Sequence, residues 1–141
     1  MIYIDVTVER RDAMHILDLI VEDEQLAVCR LSPEDVLPNW AMVGGFCSIT
    51  RTSDELSIVC PDDRRIPEGV RCERGWRVIR VGGTQAFTLT GVLSSVLEPL
   101  ARSGISIFAI STFDTDYVMV KSESLEAAVI ALRAVGHHVE Q

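Results

Sequence analysis

Residues 105–121 read ISIFAISTFDTDYVMVK, and this stretch decides the fold. Two apolar runs, 105–110 and 117–120, lie on either side of a polar segment at 111–116. β-Branched and aromatic residues fill the runs, whereas Ser, Thr and Asp fill most of the gap, as in a β-hairpin with a polar connection. The stretch therefore predicts two strands joined by a turn.

Helical patterns lie on both sides of this hairpin. Upstream, residues 91–103 carry apolar side chains at helical spacing, although Pro99 inside the pattern predicts a kink. Downstream, residues 124–134 predict a second helix, and 137–140 predict a closing strand. With an apolar strand at 87–90, the order is strand, helix, strand, strand, helix, strand, which is a βαββαβ unit.

The first half of the chain matches this pattern when it is shifted by 61 positions. The matched pairs of segments are 26–31 with 87–92, 48–50 with 109–111, 56–59 with 117–120, and Pro38 with Pro99. Few of the matched residues are identical, but the elements agree in type and order. The sequence therefore predicts two tandem units, with repeats at 14–75 and 76–141 after an N-terminal extension at 1–13.

Three local patterns predict breaks or starts within the first repeat. The acidic segment 22–24 predicts a turn between two strands, and Arg74-Gly75 predicts a break between two more. Residues 32–35 read SPED, which combines an N-cap residue, a proline at the first helical position and acidic residues in the first turn. A helix is predicted to begin there.

Composition excludes several classes of function. A net charge of −8 argues against nucleic-acid binding, because there is no positive field to neutralise phosphates. No apolar run has membrane-spanning length, and acidic residues interrupt 1–13, so we expect a soluble cytoplasmic protein without a membrane partner. The four cysteines lack metal-ligand spacing, and we expect all four to be buried reduced thiols.

Catalytic signatures are not found in the sequence. None of the three histidines has an obvious catalytic neighbour in sequence, and we expect His137-His138 to be a polar strand end. Gly44-Gly45 and Gly82-Gly83 lack the spacing of nucleotide-binding loops. We therefore predict a non-enzyme with no catalytic residue, no metal and no cofactor.

The βαββαβ order and the string from Phe87 to Lys121 resemble the ACT domain family. Residues 88–93 (TLTGVL), 104–107 (GISI) and above all 110–116 (ISTFDTD) look like its tandem-ACT branch, which includes the CASTOR-type cytosolic arginine sensors. The units of that branch are similar to the regulatory domains of aspartate kinase. The resemblance implies an α+β protein of two ferredoxin-like units with antiparallel sheets, which acts as a regulatory sensor of a small amino acid.

The resemblance also implies a ligand site between two ACT units. The site lies at the start of the first helix of one unit and against the first hairpin strand of its partner. Carried over to this chain, the ligand-binding residues are Gly91, Val92, Leu93, Ser94, Ile110, Ser111, Thr112, Phe113, Asp114 and Asp116. Partners are then a free amino acid and a second copy or another protein.

The same residues are chemically suited to a zwitterion. A helix N-terminus offers unpaired N–H groups to an α-carboxylate, and Gly91 allows close approach to the backbone. A carboxylate from Asp114 or Asp116 pairs with an ammonium or guanidinium group. The alternative is that Gly91 is a turn residue and that the aspartates cap a hairpin.

The first repeat departs from the family pattern. Arg30 stands where the second repeat has Gly91, and its side chain would obstruct a ligand. We expect this repeat to be degenerate and structural, with Ser32 and Thr50 as the residues that line a site if it contributes one. Three hypotheses remain: an amino-acid sensor, a ligand-free dimerisation or interaction module, and a small enzyme that uses a cysteine.

Overall fold

The computed structural model of the protein describes residues 15–83 and 91–141. In these ranges the elements are β1 (Asp18–Leu31), a 3-10 helix (Asn39–Ala41), β2 (Ser48–Arg51), β3 (Leu56–Pro61), β4 (Arg71–Val81), α1 (Val92–Arg102), β5 (Ile107–Ser111), β6 (Asp116–Lys121), a 3-10 helix (Ser122–Ser124), α2 (Leu125–Ala134) and β7 (His138–Glu140). The predicted α+β class is confirmed. The extension at 1–13 and the strand predicted at 87–90 lie outside the described residues.

The chain divides into two compact units. Of the described residues, 15–22, 78–83 and 91–141 form one, here called the helical unit because it holds α1 and α2. Residues 23–77 form the other, here called the strand unit. These units differ from the consecutive repeats predicted at 14–75 and 76–141, because the first residues of β1 pair with β7 near the C-terminus.

In the helical unit the strands follow the order β7-β1-β4-β6-β5. β5 and β6 pair antiparallel from Ile107 opposite Val120 to Ser111 opposite Asp116, so the predicted hairpin is confirmed. β7 pairs parallel with β1, with Asp18 opposite His138.

Both helices of this unit are close to their predicted bounds. α1 continues as one helix through Pro99, and Gly104 follows its end with a positive φ of 71°. The apolar spacing that predicts the helices also places their buried faces against the strands. The resulting core contains Leu17, Leu19, Val21, Ile79, Val81, Val92, Val96, Leu100, Val118, Val120, Ala128, Val129, Leu132 and Val139.

In the strand unit the order is β2-β3-β1-β4. β3 pairs antiparallel with β2 and with β1, so β2 and β3 form the hairpin that the match of 48–50 and 56–59 to the second hairpin predicts. Alternate residues of β1 and β3 face a small core of Ala27, Cys29, Ala41, Leu56, Ile58, Cys60 and Ile66. The described part of this unit contains no α-helix.

The turn predicted at 22–24 is wrong, because β1 runs through these residues without a break. The carboxylates of Glu22 and Glu24 have partners elsewhere in the chain. Within the helical unit, Arg80 Nε lies 2.5 Å from Glu22 Oε1. Within the strand unit, the Phe46 N–H donates to Glu24 Oε2. Since partners distant in sequence hold the carboxylates, the acidic run stays extended.

The helix predicted from Ser32 is also wrong. The Asp35 N–H donates to the Ser32 carbonyl at 3.1 Å, which closes a turn, and the Ser32 N–H donates back to the Asp35 carboxylate. The Arg51 guanidinium on β2 then binds the carbonyl oxygens of Pro33 and Asp35. A residue type that caps helices, such as Ser32, is also favoured in turns. Here the carbonyl groups of Pro33 and Asp35 bind Arg51, and no helix begins.

β4 is likewise continuous, although a break was predicted at Arg74-Gly75. Gly75 has a φ of 77°, the left-handed conformation that glycine adopts in β-bulges. Its N–H donates to Asp62 Oδ2 at 2.9 Å, so the irregular position keeps a hydrogen bond. Among residues 15–83 and 91–141, no helix is long and apolar enough to cross a membrane.

Candidate functional site

The first turn of α1 begins at Gly91, which has a φ of 81° and a ψ of −1°. Gly91 has no side chain with which to cap the helix, and no acidic residue occupies the first turn. The Oγ atoms of Ser94 and Ser95 both donate to the Gly91 carbonyl, at 3.1 and 2.6 Å. The turn is therefore fixed in place while its N-terminal end keeps the positive partial charge of the helix dipole.

The other predicted residues of this turn contribute mainly backbone. Val92 is 4% exposed and belongs to the core, and Leu93 is half-buried against the same core. Ser94 is half-buried and bonds to Gly91. This end of the site therefore offers N–H groups rather than side chains, which suits a carboxylate more than a cation.

The second predicted group lies at the β5–β6 turn. Ile110 and Ser111 end β5, Thr112, Phe113 and Asp114 lie in the turn, and Asp116 begins β6. The Ser111 hydroxyl donates to Asp116 Oδ1 across the strand pair. Asp114 is exposed and Phe113 is 82% exposed. Of the two predicted acids, Asp116 is therefore half-buried and oriented by a hydrogen bond, whereas Asp114 is exposed.

Thr115 was not predicted as a site residue, but it fixes the turn. The Thr112 N–H donates to the Thr115 carbonyl at 2.8 Å, and the buried Thr115 hydroxyl donates to the Val81 carbonyl at 2.8 Å. The turn is therefore attached to the end of β4. The available signal in the sequence is a threonine in the predicted polar turn, directly before the second strand of the hairpin.

Further hydrogen bonds place the two predicted groups at the same edge of the helical unit's sheet. The end of β4 meets the start of β1, where the Gly82 N–H donates to the Asp18 carbonyl at 2.7 Å. Just before β1, the His15 N–H donates to Ser95 Oγ at 2.9 Å. Thr115 bonds to the same end of β4. The start of α1 and the hairpin turn are thus connected through the ends of β1 and β4.

His137 stabilises this edge through two hydrogen bonds to backbone groups. It is 3% exposed, and the expectation that it forms a polar strand end is wrong. Its Nδ1 accepts the Leu17 N–H at 3.1 Å, and its Nε2 lies 2.8 Å from the Ser95 carbonyl oxygen. This network assigns the ring proton to Nε2, which donates to Ser95. His138, by contrast, is exposed on β7.

A cleft of about 590 Å³ lies elsewhere in the helical unit, beside β7. None of the predicted ligand-binding residues lines it. Its lining combines charges of both signs with apolar side chains: Asp18, Leu19, Ile20, Arg133, His137, His138, Val139 and Glu140. The sequence did not predict this cleft.

Family models match most of the chain in two segments. The model described as an ACT domain matches residues 71–134, which include α1, the β5–β6 hairpin and α2. A second model, described as the N-terminal domain of a protein group, matches residues 24–69.

Individual proteins are similar to this chain as well. The human cytosolic arginine sensor for mTORC1 subunit 1 is 26% identical over 97 residues, which cover 62% of this chain and 30% of the sensor. The chain thus spans about a third of the length of these curated relatives. A solved protein from Agrobacterium tumefaciens is 44% identical with a TM-score of 0.84, covering 89% of this chain and 93% of that one. The ligand-free regulatory subunit of aspartate kinase from Thermus thermophilus has a TM-score of 0.60 at 9% identity, covering 86% and 99%.

The strand order, the paired helices and these similarities define a ferredoxin-like α+β fold. Residues 71–134 of the chain belong to the ACT domain family.

Proposed function

We propose that this chain is a regulatory module that binds a free amino acid at the edge formed by the start of α1 and the β5–β6 turn. The observation that carries this proposal is the first turn of α1, which begins at a left-handed Gly91 and has neither a side-chain cap nor an acidic residue. Such a turn attracts a carboxylate through its N–H groups and its dipole.

The acidic side of the site completes the recognition. Asp116 is half-buried and accepts a hydrogen bond from Ser111, which fixes its direction. An ionised carboxylate accepts several hydrogen bonds, so Asp116 retains capacity for a ligand ammonium or guanidinium group. The site then holds the two opposite charges of an amino acid at two different elements.

In this proposal the ligand lies at an interface between ACT units. Phe113 supports this arrangement, because a large apolar side chain that is 82% exposed in the turn offers a surface for a covering unit. A second copy of the chain or a partner protein would supply the opposite wall. The homodimer is the assembly that we favour.

We base the proposed biological role on what the names of similar proteins say of those proteins. One relative is named a cytosolic arginine sensor, and a structural neighbour is a regulatory subunit of aspartate kinase. We propose that this chain also acts in the cytoplasm, without catalysis of its own, and passes the ligand signal to a partner. The full relatives are longer, so their partners are not assigned to this chain.

A thermal-shift screen against the common amino acids tests the proposal. A ligand present at 100 times its Kd should add about 2.7 kcal/mol of stability, which raises the Tm of a chain this size by roughly 5–10 °C. We expect one or two amino acids to give this shift, and the exposed control Glu34→Gln to respond as the wild type does. A folded protein with no shift across the panel would refute the sensor function.

The alternative is a ligand-free interaction module. The exposed apolar side chains of Ile16, Phe113 and Ile130 in the helical unit favour it, because such groups are common in interfaces. Under this alternative, light scattering would show a dimer that is unchanged by every amino acid, and Phe113→Ser would dissociate it.

A further inference from the structure

The four cysteines of the chain all lie in the strand unit. Cys29 on β1 and Cys60 on β3 are buried, and Cys72 on β4 is half-buried. Cys47 is exposed, so the expectation that all four are buried is wrong for this residue. The Sγ atoms of Cys29 and Cys72 are 3.0 Å apart, closer than two thiols in ordinary packing contact.

Strand pairing distinguishes Cys72 from Cys60 as a partner for Cys29. β1 and β4 are hydrogen-bonded neighbours, and neighbouring strands lie about 4.8 Å apart, within the range of Cα separations of about 4.4–6.8 Å that disulfides span. On the other side of β1, Cys29 is opposite Ile58 and Cys60 is opposite Ala27. Cys29 and Cys60 are thus diagonal, and diagonal Cβ atoms are too far apart for an unstrained disulfide.

We propose that Cys29 and Cys72 form an oxidation site, at which a hydroperoxide converts the two thiols into a reversible disulfide between β1 and β4. In the first step a Cys72 sulfur attacks one oxygen of hydrogen peroxide, the O–O bond breaks, and a sulfenic acid and one water form. In the second step the Cys29 sulfur attacks the sulfenic sulfur and displaces hydroxide, which leaves as a second water with the Cys29 proton. Two thiols are oxidised and one peroxide is reduced to two waters.

The order of the steps follows from exposure and from the environment of Cys29. Cys72 is the more exposed of the two and therefore meets the oxidant first. For Cys29, three causes raise the pKa of the thiol: a hydrogen bond with Cys60, burial, and a hydrogen bond with Cys72. A thiol with a raised pKa is a poor first nucleophile, so Cys29 acts only on the sulfenic acid beside it.

Tryptic mapping of the peroxide-treated protein tests the proposal directly, because each cysteine lies in a different peptide. Cys29 is in 12–30, Cys47 in 31–51, Cys60 in 52–64 and Cys72 in 72–74. After treatment and alkylation of the remaining thiols, we expect 12–30 to be linked to 72–74, with Cys47 and Cys60 alkylated. Dithiothreitol should release the link. The bond closes a separation of 43 residues, so the oxidised protein should melt roughly 5–10 °C higher.

Variants provide the controls. Cys47→Ser should form the same link in the same yield as the wild type, whereas Cys72→Ser should form none. A link between 12–30 and 52–64, or four alkylated thiols after peroxide treatment, would overturn the proposal. Because these outcomes are read on the wild-type protein, the test stands even if Cys72→Ser folds poorly.

Discussion

His137 Nε2 lies 2.8 Å from the carbonyl oxygen of Ser95, four residues before Pro99 in α1. In an uninterrupted helix that carbonyl would accept the N–H of residue 99, which proline lacks. A buried imidazole from the other end of the unit thus replaces the missing helical donor. The same ring accepts the Leu17 N–H, so it also connects α1 to the segment that enters β1.

We predict that His137→Ala destabilises the protein by about 2–4 kcal/mol, because it removes hydrogen bonds to two buried backbone groups and opens a cavity. The cost should be about 1 kcal/mol smaller in a Pro99→Ala background, where residue 99 can donate to Ser95. Urea unfolding of the four proteins measures this cycle. His138→Ala, on the exposed neighbour, should change stability by less than about 0.5 kcal/mol. An equal cost of His137→Ala in both backgrounds would contradict the replacement role.

The lowered pKa of Asp62 predicts that the stability of the protein depends on pH. Burial raises the pKa of its carboxyl, but hydrogen bonds from Arg74, the Gly75 N–H and Gln25 outweigh burial and hold the pKa below its ordinary value. Because the pKa is lower in the folded than in the unfolded state, the stabilisation is present above pH about 4 and is lost as pH falls through the folded pKa.

Asp62→Asn should therefore cost about 1.5–3 kcal/mol at pH 7, since it weakens hydrogen bonds to a charged group. The difference from wild type should begin to shrink below pH about 4 and vanish as pH falls through the lowered folded pKa, where the wild-type carboxyl also becomes neutral. Denaturant titrations between pH 7 and 2 measure it, with the exposed Asp54→Asn as the control. A difference that stays constant with pH would show that packing, and not charge, makes Asp62 important.

Sequence patterns predicted the helical unit better than the strand unit, for a physical reason. The hairpin and helices at 91–134 are local structures, whose side-chain periods and turn residues are visible within one segment. The continuity of β1 through 22–24 depends instead on Arg80 and on the backbone of Phe46, which are distant in sequence. The segment after Ser32 likewise depends on Arg51, and no local pattern records that partner.

The candidate site shows the same difference. Family resemblance gave its residue types, and the structure places the start of α1 and the hairpin turn at one sheet edge. The residues that hold this edge together, Thr115 and His137, act through hydrogen bonds to backbone groups that are distant in sequence. Such bonds leave no periodic trace in a sequence.

We predict that Thr115→Val loosens the hairpin turn. It removes the hydroxyl that donates to Val81 and leaves a buried carbonyl without this partner, at a cost of about 1–3 kcal/mol. Thr115→Ser keeps the hydroxyl and should cost less, although it loses a methyl group. Amide hydrogen exchange at Thr112 should quicken in the Val variant only. If both variants exchange alike, the hydroxyl does not anchor the turn.

The two acids of the turn should contribute unequally to ligand binding. Asp116 is half-buried and oriented by Ser111, whereas Asp114 is exposed and therefore surrounded by water, which weakens any charge interaction that it makes. For an amino acid identified by the thermal-shift screen, Asp116→Asn should raise Kd at least tenfold, about 1.4 kcal/mol. Asp114→Asn should raise it less than about threefold.

Ser111→Ala should give an intermediate loss, because it frees the Asp116 carboxylate to rotate without removing its charge. Isothermal titration of the three variants measures these effects, and a larger loss for Asp114→Asn than for Asp116→Asn would move the cation-binding role to the tip of the turn.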